Sequence, residues 1–268
     1  MNHITKTTVA VIGAGHAGCE AALASARMGV DTVLFTLSLD QIANMPCNPS
    51  IGGTAKGHLV YEIDALGGRM GIITDRSTIQ FRMLNRSKGA AMWSPRAQCD
   101  KEQFSRLWRE ELENTDNLFM WQDAAEELLY TEGEQGDKVC GLRTKMGVEF
   151  HAKAVILTAG TFLGGLMHCG EKNAEGGRAG DAASHGITEA LTEIGFEVGR
   201  MKTGTPARID GRSVDFSLLE EAVVEAGRQG ISVILGTPTA APPVWIIERN
   251  PEIQPTNWHG HQRFFGGR

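Results

Sequence analysis

The segment Val9–Gly18, which reads VAVIGAGHAG, constrains the fold of this 268-residue chain more than any other. An apolar run typical of a buried strand stops at Gly13, where a tight turn needs a residue without a side chain. Gly15 would let the backbone approach a diphosphate, and Gly18 would let the following helix pack closely on the strand. A second apolar strand follows at Thr32–Phe35, so the pattern predicts a β–α–β unit whose helix N-terminus faces the phosphates of a dinucleotide.

The acidic residue that usually ends the second strand of such a unit is missing. Thr36 stands where Asp or Glu would hold the adenosine ribose, whereas Asp31 comes too early and Asp40 too late. We therefore expect hydroxyl or backbone groups to contact the ribose, or the dinucleotide to bind in an unusual way.

The pattern after this unit predicts how the sheet continues. A long excursion over 37–121 contains one helix at 57–66 and another whose N-cap is Asp100. Alternating segments then predict an antiparallel meander, and a further buried strand follows it at 154–158. The meander strands are expected at 128–131, 139–144 and 148–152. By analogy with flavin-binding proteins, we expect an α/β fold: a Rossmann-like FAD/NAD(P)-binding domain with a parallel sheet, helices and an added antiparallel β-meander.

The composition changes near residue 222. Five of the nine prolines of the chain lie beyond this point, where they interrupt regular structure. We expect a cofactor-binding domain over 1–221, with its insertion at about 37–121, and a divergent proline-rich tail over 222–268.

The overall composition excludes several classes of protein. A net charge of −6 argues against a wholly basic nucleic-acid coat, so an RNA contact would have to be a local patch. Five widely spaced cysteines do not suggest a disulfide framework or a zinc site, and His259 and His261 lack further ligands, so no metal site is expected. No apolar run resembles a signal peptide or is long enough to span a membrane. We therefore expect a cytoplasmic protein that is not associated with a membrane.

Cys47 is the sharpest candidate for a reactive group. Pro46 and Pro49 stiffen the backbone around the thiol, and Gly52 and Gly53 lead towards a helix N-terminus, a setting that can lower a thiol pKa. A nucleophile and a buried structural cysteine are about equally compatible with this context. Because no second cysteine lies within a few residues, the redox-active pair of disulfide reductases is not indicated.

A second candidate segment, 76–101, is locally basic and contains interleaved aromatic residues. Its basic residues are Arg76, Arg82, Arg86, Lys88, Arg96 and Lys101, and its aromatic ones are Phe81 and Trp93. This mixture suits a nucleotide whose phosphates need neutralising while a base stacks on an aromatic ring. A solvated basic face is the commoner explanation of such a segment.

Several ordered motifs together carry a resemblance to a known family. They are Gly13–Glu20 (GAGHAGCE), Cys47–Gly53 (CNPSIGG), Lys56–Gly68 (KGHLVYEIDALGG), Ile79–Gly89 (IQFRMLNRSKG), Pro95–Gln98 (PRAQ), Leu157–Leu163 (LTAGTFL), Gly176–Asp181 (GGRAGD) and Arg200–Pro206 (RMKTGTP). Through them the chain resembles, from about Val9 to Glu221, the MnmG (GidA) family of tRNA uridine-5-carboxymethylaminomethyl modification enzymes.

The resemblance implies a cofactor and a set of residues that hold it. It implies FAD at Gly13, Ala14, Gly15, His16, Ala17 and Gly18, with further contacts at Ala125 and Ser184. Members of the family also replace the usual ribose acid, which would account for Thr36. Cys47 matches a functional cysteine of the family, and we hypothesise that it is a nucleophile or a methylene carrier. We further hypothesise that Arg82, Lys88 and Arg96 hold tRNA phosphates.

The resemblance also implies a reaction and partners. NADH reduces the flavin, and a methylene group from methylenetetrahydrofolate is placed on C5 of the wobble uridine of certain tRNAs, with glycine or ammonium as amino donor. The GTPase MnmE completes a heterotetramer, and the full-length form is expected to be a homodimer. Beyond Glu221 the resemblance ends, so we expect this chain to be a fragment. A small-molecule flavoprotein oxidoreductase and an inactive FAD-binding fragment remain as alternatives.

Overall fold

The computed structural model describes residues 5–46, 48–132 and 138–201, together with 210, 212, 215, 220–222 and 233–235. The chain divides into two compact units, one from 1–44 and 105–201 and the other from 45–104 and 202–268. The predicted insertion at about 37–121 encloses the first part of the second unit. The predicted boundary at 221 stays a prediction.

The described residues form the following strands and α-helices. The strands are β1 (Lys6–Ile12), β2 (Thr32–Thr36), β3 (Ser50–Gly52), β4 (Thr78–Leu84), β5 (Ser94–Cys99), β6 (Leu118–Gln122), β7 (Ala125–Thr131), β8 (Lys138–Thr144), β9 (Glu149–Leu157), β10 (Leu166–Cys169), β11 (Lys172–Glu175), β12 (Glu220–Ala222) and β13 (Val233–Leu235). The α-helices are α1 (His16–Arg27), α2 (Gly57–Ala65), α3 (Met70–Ser77), α4 (Lys101–Glu113) and α5 (Gly186–Glu193). Among these described helices, none is long and apolar enough to cross a membrane.

The first unit is built on a mixed six-stranded sheet in the order β6-β2-β1-β9-β8-β7. β6, β2, β1 and β9 are parallel neighbours, and β8 and β7 extend the sheet in antiparallel pairs. This arrangement confirms the predicted α/β fold, a Rossmann-like parallel sheet with an added meander.

One strand differs from the sequence prediction. The sequence predicts two strands, at 148–152 and 154–158, but β9 runs through both segments without a break. Its first residues pair with β8 in antiparallel register, and residues from His151 onwards pair with β1 in parallel register. The two halves have different neighbours and different burial, so their sequence patterns differ although the backbone is continuous.

One hydrophobic cluster of the first unit lies on one face of this sheet. Phe150 is fully buried and makes edge-on ring contacts with Phe35, at a centroid distance of 4.8 Å, and with Trp121, at 5.1 Å. Around these rings lie the other buried members of the cluster: Ala10, Ile12, Val33, Ala125, Leu142, Ala152 and Ile187. Side chains from β1, β2, β7, β8, β9 and α5 therefore share a single apolar layer.

Helix α4 begins where the sequence predicts. The Asp100 carboxylate accepts hydrogen bonds from the backbone N–H groups of Glu102 and Gln103, both at 3.0 Å, which is N-capping geometry. The backbone N–H of Asp100 donates to Ser77 O at 2.8 Å. Its apolar face is buried along its whole length, at Phe104, Leu107, Trp108 and Leu112.

The second unit contains a separate three-stranded antiparallel sheet in the order β3-β5-β4. The helix predicted at 57–66 is confirmed as α2, and its first residue needs to be small: a Cβ at Gly57 would lie 2.8 Å from Pro95 Cδ of β5. The sequence pattern did not identify β3, β4, β5 or α3. In the same unit β12 pairs with β13.

Replacing Phe150 by Ala should lower the free energy of unfolding by about 3–5 kcal/mol, because it leaves a cavity between two rings. The matched control is Phe119→Ala on β6, since Phe119 is 52% exposed, and its cost should stay below about 1 kcal/mol. Urea unfolding of the two variants measures both values. Equal losses would contradict the placement of the core.

Candidate dinucleotide site

The predicted strand, glycine turn and helix are confirmed at β1 and α1. Gly13 has φ +99°, and a Cβ there would lie 2.6 Å from Thr158 O. A Cβ at Gly18 would lie 1.7 Å from Gly13 O, so the first turn of α1 rests directly on the glycine turn. Both positions therefore require glycine, because any side chain would clash with the backbone of the chain itself.

Gly15 differs from these two glycines because its surroundings are open. It is the N-cap residue of α1 with an extended backbone, φ −77° and ψ −174°, which any L-residue can adopt. No described atom lies within 4 Å of a Cβ built on it, and no side chain of the described residues caps the helix. The positive end of α1 thus borders an open space, which fits the diphosphate of a dinucleotide.

Thr158 holds the turn in place, and the sequence pattern did not reveal this role. Its hydroxyl donates to Ile12 O at 2.8 Å and is 2.9 Å from Gly13 O, while its backbone N–H donates to Ile12 O at 2.9 Å. The only available signal was its position directly after the last buried strand, before Ala159 and Gly160.

His16 connects the turn to the segment that follows β2. Its Nε2–H donates to Ala43 O at 3.2 Å, and the backbone N–H of Ala43 donates to Ala14 O at 2.8 Å. Burial lowers the pKa of His16, although the hydrogen bond to Ala43 opposes the shift. A neutral imidazole also avoids placing a cation at the positive end of α1. Ala43 is fully buried with φ +49°, so the surrounding contacts hold it in the left-handed region.

Thr36 ends β2 at the position of the missing acid. It is buried, and its hydroxyl donates to Ser38 O at 3.1 Å. The Ser38 hydroxyl in turn accepts from Asp40 N at 3.3 Å. The hydroxyl groups of Thr36 and Ser38 therefore lie where an Asp or Glu would usually bind the ribose.

The structure brings two further predicted cofactor contacts together. The Ser184 hydroxyl donates to Ala125 O at 3.3 Å, and Ala125 is buried at the start of β7. Ser184 is held from both sides, because its N–H donates to Phe162 O at 2.8 Å and its carbonyl accepts from Gly164 N at 2.7 Å. A role for Ala125 and Ser184 in cofactor binding stays a prediction.

Cys47 lies outside the described residues. After it, Pro49 O accepts from Cys99 N at 2.7 Å, which anchors the end of its segment to β5. Burial raises the pKa of Cys19 well above its ordinary value and that of Cys99 to about 12, so these two thiols are poor nucleophiles at neutral pH. Cys140 is half-buried and Cys169 is exposed.

The three predicted RNA contacts all lie in the second unit. Arg82 of β4 and Arg96 of β5 are direct cross-strand partners, whereas Lys88 lies on a separate short 3-10 helix, Arg86–Lys88. Arg82 and Lys88 are exposed and Arg96 is half-buried. Within the described part of the chain, no group of three or more His, Cys, Asp or Glu side chains could hold a metal ion, and His259 and His261 lie outside that part.

The fold and the glycine turn define a dinucleotide-binding protein of the Rossmann-like class. The chain belongs to the glucose inhibited division protein A family, whose model matches residues 8–239. This membership and the geometry of the turn together support FAD as the dinucleotide.

Individual relatives agree with the family assignment. The chain is 60% identical over 215 residues, 80% of its length, to the tRNA uridine 5-carboxymethylaminomethyl modification enzyme MnmG of Phocaeicola vulgatus. It is 51% identical over 247 residues, 91% of its length, to the enzyme of the same name from Salinibacter ruber. These matches cover 34% and 37% of the two relatives, so the chain spans about a third of their length.

Solved structures give the same result. Aquifex aeolicus GidA in its form II crystal matches with a TM-score of 0.77 and 48% identity, covering 82% of this chain and 36% of that one. The GidA-related protein from Thermus thermophilus matches with a TM-score of 0.51 and 26% identity, covering 71% and 69%.

Gly15→Ala should leave the melting temperature unchanged but lower FAD affinity about tenfold or more, because its methyl group fills the space that the diphosphate needs. Gly18→Ala is the matched control: its Cβ meets Gly13 O, so it should lower the melting temperature. Flavin fluorescence titration and thermal melting measure the two effects. Unchanged FAD affinity in Gly15→Ala would contradict the site.

His16 should make the fold sensitive to mild acid. Because its pKa is lower in the folded chain than the ordinary value of about 6.5, the unfolded chain binds more protons below that pH. The stabilisation is therefore complete above about pH 6.5 and is lost as the pH falls towards the folded pKa. Urea unfolding at several pH values should show a shallower decline in His16→Gln than in the unchanged chain. Identical declines would refute this role.

Proposed function

We propose that this chain is the FAD-binding part of an enzyme that modifies the wobble uridine of tRNA. The observation that carries the proposal is the uncapped N-terminus of α1 beside the open space at Gly15, in a chain of this family. The names of the relatives support tRNA uridine as the substrate. Because the chain spans about a third of those relatives, the activity is proposed for the complete protein.

FAD would be held mainly by the turn Gly13, Ala14, Gly15, His16, Ala17 and Gly18. The diphosphate would accept hydrogen bonds from the N–H groups of α1, and hydroxyl groups near Thr36 would contact the ribose. Ala125 and Ser184 would provide further contacts. When bound, FAD supplies redox chemistry that the protein side chains lack.

The complete reaction would use NADH as reductant and methylenetetrahydrofolate as one-carbon donor, and would build the aminomethyl-type group at C5 of the uridine. The GTPase MnmE would be the protein partner, in a heterotetramer with a homodimer of the full-length form. We propose a cytoplasmic location, where tRNA and these co-substrates are present.

Cys47 is the proposed nucleophile or methylene carrier. The high pKa values of Cys19 and Cys99 support this choice, since they remove two of the other thiols from consideration. Arg82, Lys88 and Arg96 are the proposed tRNA phosphate contacts, and the exposure of Arg82 and Lys88 supports that role.

The proposal predicts three results in sequence. The purified chain should retain FAD and be coloured, and it should bind tRNA with an affinity that falls as salt rises. In the complete reaction with the full-length enzyme and MnmE, Cys47→Ser should keep both FAD and tRNA but lose modification activity, assayed by nucleoside analysis of the tRNA. Cys169→Ser, which removes an exposed thiol, is the matched control and should keep activity.

Each failure has a distinct meaning. A colourless chain that does not bind added FAD would contradict the proposed FAD site. A coloured chain without tRNA affinity would favour a small-molecule oxidoreductase. Full activity of Cys47→Ser would remove Cys47 from the mechanism and leave the rest of the proposal in place.

A further inference from the structure

The sheet β3-β5-β4 of the second unit has a polar face with an ordered arrangement. The strand register places Ser50, Gln98 and Gln80 side by side in one row. It places Gly52, Arg96 and Arg82 in the neighbouring row. Because side chains alternate between the faces of a strand, residues two positions apart share a face, so both rows lie on the same side of the sheet.

The second row brings two positive charges together. Arg82 and Arg96 are directly opposite each other, an arrangement of like charges that destabilises a sheet. Burial lowers the pKa of Arg96, and the charge of Arg82 lowers it further. In the described ranges, no carboxylate forms an ion pair with either guanidinium. A bound anion would neutralise this repulsion.

The first row fixes the position of one of these charges. Gln98 is 2% exposed, and its Oε1 accepts a hydrogen bond from Arg96 Nη2 at 3.3 Å. The Arg96 guanidinium is therefore held by a neutral amide, which orients it but does not cancel its charge. A planar guanidinium oriented in this way is prepared to bind an oxyanion through two of its N–H groups.

We propose that Arg82 and Arg96 together form a site for one oxyanion, the phosphate or carboxylate group of a ligand, and that Gln98 is a positioning residue for Arg96. Lys88, on its separate 3-10 helix, is not part of this site. The site exists independently of the proposed function, and only the source of the oxyanion, RNA or a small co-substrate, rests on it.

The test is a calorimetric titration of inorganic phosphate into the full chain at constant ionic strength. Arg82→Ala and Arg96→Ala should each weaken phosphate binding about tenfold or more, since each removes a charged hydrogen-bond donor. The phosphate affinity of the double variant should lie within about twofold of that of either single variant, because both arginines hold the same anion. The matched control is Arg76→Ala, which removes an exposed arginine from α3 and should bind phosphate as the unchanged chain does.

Gln98→Glu tests the positioning role of Gln98. This test does not require the arginine-to-alanine variants to fold. Its carboxylate would pair with Arg96, so phosphate binding should fall about tenfold or more while the melting temperature in chloride does not fall. Phosphate affinity unchanged in Arg82→Ala, Arg96→Ala or Gln98→Glu, or losses that simply add in the double variant, would overturn the proposal.

A second titration, with tRNA, identifies the source of the oxyanion. If RNA supplies the oxyanion, phosphate competes with tRNA. Each arginine variant then weakens tRNA binding, and the two losses of affinity do not add in the double variant. If a small co-substrate supplies it, phosphate and tRNA bind together, and the arginine variants lose phosphate only. A chain that binds phosphate but no tRNA contradicts the proposed function and supports the site, whereas one that binds tRNA but no phosphate contradicts the site alone.

Discussion

The contact between α1 and the turn after β1 is the constraint on which the candidate cofactor site depends. Gly18 places the helix so close to Gly13 O that no side chain fits between them, and the Thr158 hydroxyl bonds the same stretch of backbone from β9. Three elements are thereby held at one point. Because the helix start is fixed by these contacts, its N-terminus can stay without a side-chain cap and open at Gly15, where its positive end can face an anion.

The features that could be predicted from sequence are those with short-range causes. The turn at Gly13, the strand β2 and the cap at Asp100 each depend on residues within a few positions, and all three are confirmed. The apolar face of α4 is equally local, because buried side chains recur at helical spacing. In each case the physical reason acts along the chain, so one segment is enough to identify it.

The features that could not be predicted depend on pairing between distant segments. The sequence pattern divides β9 in two because its halves meet different strands, a fact that no local pattern contains. Thr158 acts on backbone atoms 145 and 146 positions away, and Ser184 bonds Ala125 across 59 positions. The basic segment 76–101 indicated charge but not register, so it did not separate Arg82 and Arg96 from Lys88.

The distribution of carboxylates, rather than the number of basic residues, distinguishes the candidate anion sites in this acidic chain. Arg143 contacts both Glu127 and Glu149, and Arg109 contacts Glu113 and Asp40, so these surface charges are already balanced. The start of α1 carries no acidic residue in its first turn. Arg96, the partner of Arg82 across the strands, is hydrogen-bonded to the Gln98 amide instead of to an acid. A net charge of −6 therefore does not argue against anion binding, because positive potential persists wherever the fold keeps carboxylates away from an N–H cluster or a guanidinium.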